Sequence, residues 1–129
     1  MEPSIILVDT SVIIDFIRKT NKTTTFFYSI CSNFTPAISV ITQFELLVGM
    51  NDRNSVFTNQ FLEELEIITL DTSISKKAST IYGELKIKNK LIGLADLFIA
   101  SSSIVKNYPL ATLNVNHFNR IESLELFET

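Results

Sequence analysis

Apolar and polar positions along this chain change their period several times, and each change marks an element. Ile5-Ile6-Leu7-Val8 is apolar without alternation and largely β-branched, the pattern of a strand covered on both faces inside a parallel sheet. Asp9, Thr10 and Ser11 follow at once, and Val12-Ile13-Ile14 with Phe16-Ile17 behind them predict a helix that starts at Thr10 or Ser11. Pro36-Ala37-Ile38 predicts a short strand. Ser39 is a favoured N-cap for a helix through Val40 to Val48, ended by Gly49. Glu66-Ile67-Ile68-Thr69-Leu70 predicts a third strand, after which Asp71 or Thr72 caps the longest helix. In that helix Ile74, Ala78, Ile81, Tyr82, Leu85 and Lys88 recur on one face. Gly93 interrupts the pattern before a more apolar helix from Ala95 to Lys106. Pro109-Leu110-Ala111-Thr112 predicts a fourth strand, and Leu124-Glu125-Leu126 a fifth at the sheet edge.

Strands that alternate with helices predict an α/β fold, a three-layer sandwich around a central, mostly parallel sheet of four or five strands. Ligands of such sheets bind beyond the carboxyl ends of the strands. Asp9 and Asn114 each follow a strand closely, so both are expected on that rim, whereas Glu45 and Asp96 fall in helices whose packing decides their reach. The 129 residues contain no internal repeat, no low-complexity stretch and no linker rich in Gly or Pro. A single domain over 1–129 is therefore expected, of a size that buries about two-thirds of its unfolded surface.

Composition narrows the class. With 46% hydrophobic and 19% charged residues the chain lies far from the disordered regime. The lone Cys31 cannot form an internal disulfide, so a reducing cytoplasm suits the chain, and its aromatic and aliphatic neighbours predict a small core residue. No stretch approaches the roughly 18 consecutive apolar residues of a membrane span, and the N-terminal apolar run is too short and too acidic at its end for a signal peptide.

Four positions set a carboxylate or an amide into apolar surroundings: Asp9, Glu45, Asp96 and Asn114. Asp9 follows the first strand, Glu45 stands between Phe44 and Leu46-Leu47-Val48, and Asp96 is flanked by Leu94-Ala95 and Leu97-Phe98-Ile99-Ala100. An acid in such surroundings must be paired, protonated or metal-bound. Few cations lie near these acids in sequence, and one His with one Cys cannot build an ordinary zinc site. An all-oxygen site for a hard cation such as Mg²⁺ is the remaining option, and metal-assisted phosphodiester hydrolysis is the matching reaction class. The net charge of −3 runs against the basic footprint of nucleic-acid-binding proteins. An uneven distribution reconciles the two, with acids gathered at the metal and Arg18, Lys19 and Lys22 near its rim.

Four segments occur in order: Val8-Asp9-Thr10-Ser11-Val12-Ile13-Ile14-Asp15, Ile38-Ser39-Val40 leading to Phe44-Glu45-Leu46-Leu47-Val48-Gly49, Gly93-Leu94-Ala95-Asp96-Leu97-Phe98-Ile99-Ala100, and Ala111-Thr112-Leu113-Asn114-Val115-Asn116-His117-Phe118. Together they resemble the PIN domain, most of all its VapC-type toxins, over essentially the whole chain. The resemblance implies a Mg²⁺- or Mn²⁺-dependent ribonuclease with Asp9, Glu45 and Asp96 as metal ligands. Asn114 stands at a fourth position where the family carries Asp or Asn, which weakens a second metal. Thr10, Ser11 and Thr112 match hydroxyl positions that support the acids. RNA as substrate, a separately encoded antitoxin and a homodimer are implied as well.

Each residue also has a plainer role. Asp9 can cap the first helix, Glu45 can be an exposed helix position, and Asp96 can serve the positive end of its helix. Asp15, six residues after Asp9, is expected to be a solvated or hydrogen-bonding acid. His117, beside Phe118, is expected to be a packed or capping residue outside the site. Phe26, Phe27 and Tyr28 are better suited to partner contacts than to stacking bases.

Two other aspartate chemistries fail on pattern. A haloacid-dehalogenase-like site wants a second Asp where Ser11 stands, and a receiver domain wants a Lys where Leu113-Asn114 stand. A PIN-like scaffold that binds RNA or protein without cutting is the non-enzymatic alternative.

Overall fold

The computed structural model describes residues 4–128. Strand β1 (Ile5–Val8) lies inside a four-stranded, wholly parallel sheet with β2 (Thr35–Ser39), β3 (Glu66–Ile68) and β4 (Leu110–Ala111), in the order β3-β2-β1-β4. The unbroken apolar run of β1 is explained by its central place. Ile6 and Val8 face one helical layer and Leu7 the other, and all three are buried. Each side chain so buried contributes about 1.5–3 kcal/mol relative to exposure.

Helices α1 (Thr10–Arg18), α2 (Phe26–Asn33), α3 (Val40–Val48) and α4 (Ser55–Glu63) supply Val12, Ile13, Phe27, Ile30, Leu46 and Leu62 to the first layer. Helices α5 (Thr72–Ile87), α6 (Leu94–Lys106) and α7 (Val115–Phe118) supply the second layer. The three-layer expectation therefore holds. The third and fourth strands are shorter than the sequence predicts, and the fifth is a single parallel bridge from Leu126 to Leu110.

Caps follow the sequence closely. The Ser39 hydroxyl accepts from Ile41 N–H at 3.0 Å, and Asp71 Oδ1 accepts from Ile74 N–H at 2.9 Å. Gly49 ends α3 with φ −82°, so glycine's left-handed freedom is unused there. The left-handed positions fall on Asn89 and Asn107, the second closing α6. Three serines lie buried in α6, and two of them return their hydroxyls to the carbonyls four residues earlier, Ser101 to Leu97 and Ser102 to Phe98.

Other expectations change. Tyr82 and Lys88 lie outside the buried face of α5, which consists of Ile74, Ala78, Ile81 and Leu85. Cys31 stands on the exposed side of α2, because Phe27 and Ile30 take the inward positions of that helix. Phe27 is core and Phe26 stacks on Phe127, which leaves Tyr28 as the exposed aromatic of that segment. Helices α2 and α4 add to the predicted set. Both are short, and one aromatic cluster holds them, Phe16 and Phe27 against Phe57 and Phe61 with ring centroids 4.8–6.2 Å apart.

Lys22 is absorbed by this cluster. Its ammonium donates to the carbonyls of Phe16, Ile17 and Lys19 at 2.7, 3.1 and 3.2 Å and lies 4.9 Å from the ring centres of both Phe16 and Phe57. It satisfies the carbonyl end of α1 and joins α1 to α4. Lys22→Met keeps the stem and removes the charge, and should cost about 1–3 kcal/mol from the lost charged hydrogen bonds and cation–π contacts. Urea unfolding with an unchanged slope checks this.

Candidate active site

Asp9 leaves β1 with its backbone still in the sheet, its N–H donating to Ala111 O at 2.9 Å. The residue is 2% exposed and occupies the N-cap position of α1, yet its side chain makes no capping bond. The carboxylate turns instead to two hydroxyls. Oδ2 accepts from Ser11 Oγ at 2.7 Å and from Thr112 Oγ1 at 2.8 Å. Each hydroxyl in turn accepts a backbone N–H from the loop after β4, Leu113 N–H to Ser11 at 3.1 Å and Asn114 N–H to Thr112 at 2.9 Å. Two parallel relays thus tie the ends of β1 and β4 together through one carboxylate oxygen.

Thr10 carries the site toward α3. Its hydroxyl lies 2.8 Å from both Glu45 Oε1 and Thr42 Oγ1. It has a single proton, and the carboxylate is the stronger acceptor. Glu45 itself is exposed, contrary to the apolar setting that its neighbours imply. The cause is helical geometry: Thr42 and Leu46 fill the buried face of α3, while Phe44 and Val48 stand 64% and 70% exposed beside Glu45.

Asp96 sits half-buried in the first turn of α6. Burial is the main cause that raises its pKa, and the charge of Asp9 raises it further, while the hydrogen bond and charge of His117 pull the other way. His117 Nδ1 lies 3.3 Å from Asp96 Oδ2. His117 is therefore the residue that sequence reasoning leaves out of the site. The signal for it was the loop after β4: α7 turns Phe118 into the core, and its neighbour His117 is left on the side of Asp96.

Asp96 thus feels the charge of Asp9, and Glu45 is tied to Thr10, the residue next to Asp9. Among the described residues no three His, Cys, Asp or Glu side chains gather closely enough to hold a metal ion among themselves. Asn114 reaches the group by its backbone N–H, with its exposed side chain making no cap bond. Asp15 pairs with Lys19 at 3.8 Å. Of the three basic residues expected near the rim, Lys19 and Lys22 have these structural partners, and Arg18 lies beside Glu45 along a shared cavity.

The PIN domain family matches residues 6–124. The chain belongs to that family. Ribonuclease VapC1 of Methanocaldococcus jannaschii is 40% identical over 126 residues, 97% of this chain and 87% of that protein. Ribonuclease VapC2 of Rickettsia felis is 39% identical over 106 residues, 75% of this chain and 76% of its own. The fold of VapBC2 from Rickettsia felis, solved bound to a DNA fragment from their promoter, aligns with TM-score 0.83 at 30% identity over 95% of this chain and 97% of that one.

A hard divalent cation fits the donor set of this PIN domain. The groups on offer are carboxylates, hydroxyls and an amide, and among the described residues buried Asp9 has no Lys or Arg partner. Mg²⁺ is commonly held by one or two carboxylates and completes its octahedron with water, so oxygen donors of this kind fit it without a closed cage.

In the metal-free protein the raised pKa of Asp96 has a defined sign. A carboxylate with a raised folded-state pKa contributes stability below its unfolded pKa and loses that contribution as pH rises through the folded value. Asp96→Asn should therefore melt at the same or a higher temperature than the parent in EDTA at pH 7. The difference should close in acid, and thermal melts at both pH values check it.

Proposed function

We propose that this chain is a Mg²⁺- or Mn²⁺-dependent endoribonuclease that hydrolyses RNA phosphodiester bonds as the toxin of a VapBC-type pair. The observation that carries the proposal is the buried Asp9 carboxylate, held by the Ser11 and Thr112 hydroxyls at the carboxyl end of a PIN-family sheet, in a chain whose relatives are named ribonucleases. Asp9 and Asp96 would hold the cation, with Glu45 and Asn114 at its outer side. A bound divalent ion lowers the pKa of water and offsets charge on the scissile phosphate.

The chain's own residues do the positioning. Ser11 and Thr112 fix one oxygen of Asp9 and leave the other free for the site. Thr10 holds Glu45 across the gap between α1 and α3. His117 sets the orientation of Asp96. Phe44, Leu47 and Val48 give α3 an exposed apolar side suited to an antitoxin or a second copy in a homodimer. The whole chain, 1–129, would act as one PIN-like domain in the cytoplasm, and among the described residues no helix is long and apolar enough to cross a membrane.

The outward position of Glu45 favours one competing reading, a PIN-like scaffold that binds RNA or protein without cutting it. Metal dependence separates the two. Metal-stripped protein should regain RNA cleavage with Mg²⁺ or Mn²⁺ but not with Zn²⁺, and cleavage that persists in excess EDTA overturns the metal-dependent proposal. Thr112→Val removes one donor from Asp9 and should lower metal-dependent cleavage about 10- to 100-fold, the usual cost of a lost outer-shell partner. Unchanged initial rates at saturating Mg²⁺ count against that role.

A further inference from the structure

A cavity of about 230 Å³ opens between α1, α3 and the segment leading into α4, with Glu45 on its border. Ile14, Ile17 and Leu46 form its apolar wall. Its polar lining is biased toward donors. Asn51 Oδ1 accepts the backbone N–H groups of Arg53 and Asn54 at 2.9 and 3.2 Å, and Asn54 Oδ1 accepts that of Asn51 at 3.0 Å. Asn51 Oδ1 thereby has both lone pairs engaged and Asn54 Oδ1 one of its two, so the free hydrogen-bonding capacity of the two carboxamides is mostly that of their N–H groups.

Thr58 adds a third polar group. It is 2% exposed and lines the cavity, yet its hydroxyl has no hydrogen-bond partner among the described residues. The hydroxyl is not sealed from solvent, so it opens into the cavity and is free to bond to whatever enters. Arg18, also on the lining, forms no ion pair among the described residues.

We propose that this cavity receives one nucleobase of the RNA next to the cleaved bond and selects for guanine or uracil, with Arg18 on the adjoining phosphate. The inference rests on the ribonuclease reading and extends it to sequence preference. The cavity is below the roughly 300–1,000 Å³ of whole-ligand pockets, a size for a ring system rather than a nucleotide. Apolar walls suit the faces of an unstacked base. Guanine and uracil present carbonyl oxygens where adenine and cytosine present amino groups, so the Asn51 and Asn54 amide N–H groups discriminate by donating, and the Thr58 hydroxyl joins them as a donor once they have set the base's orientation. Glu45 links the cavity to the site, since it lines the cavity and accepts a hydrogen bond from Thr10, the residue next to Asp9.

The test uses a randomised pool of short RNAs, with the protein-bound fraction and the newly cut ends sequenced separately. The parent protein should enrich guanine or uracil at least about tenfold over adenine at one position near the cut. Thr58→Val should reduce that ratio about tenfold, Thr58→Ser should retain it, and Arg18→Ala should raise KM more than it lowers kcat. Melting curves establish that each variant is folded. Cut ends with no Thr58-dependent preference overturn the pocket and leave the ribonuclease intact. A Thr58-dependent preference in the bound fraction without cut ends supports the pocket and overturns the ribonuclease. If Thr58→Val weakens only capture of a co-expressed antitoxin, the cavity belongs to the protein partner and the proposal falls.

Discussion

A carboxylate buried at the junction of two central strands is the constraint on which this structure depends. Asp9 ends β1, and taking its charge from water is costly unless donors replace the lost hydration. The fold meets that demand with Ser11 and Thr112, whose hydroxyls both reach Oδ2. Because Thr112 comes from the opposite end of the chain, the satisfaction of Asp9 requires β4 to lie beside β1, as the sheet order has it. The loop after β4 is then held by its own N–H groups on the same hydroxyls.

The same arrangement sets chemistry against stability. Asp96 is brought close enough to Asp9 for the two charges to oppose each other, and His117 offsets that opposition only in part. A structural acid would gain nothing from such a neighbour. The proposed cation would relieve that opposition. Glu45 belongs to a different layer of the site. Tethered by Thr10 and open to solvent, it lines the donor-rich cavity, and so connects the residue next to Asp9 with the place where a base would be held.

Basic side chains show how little composition alone says about partners. Of Arg18, Lys19 and Lys22, adjacent in sequence to the first acids, one pairs with Asp15 and one closes the carbonyl end of α1 between two phenyl rings. Arg18 alone is left along the cavity. A net charge of −3 is thus compatible with an RNA-facing rim made of few cations and many neutral donors.

Local chemistry determined much of what the sequence by itself could decide. The unbroken apolar β1, the caps Ser39 and Asp71, and the buried stripe of α5 depend on short-range periodicity and capping, which survive in any context that buries one face. The rim position of Asp9 followed from its place after a parallel strand. Tertiary structure decided the rest. Helix α3 is apolar nearly all round, so only packing could determine that Glu45 faces outward while Leu46 faces in. Cys31 and Phe27 exchange their expected places because α2 rotates Phe27 and Ile30 toward the sheet. His117 becomes a neighbour of Asp96 through a contact 21 residues apart in sequence, and the cavity at Thr58 exists only where three separate helical segments meet. Such relations depend on distances between elements, and no periodicity within one element encodes them.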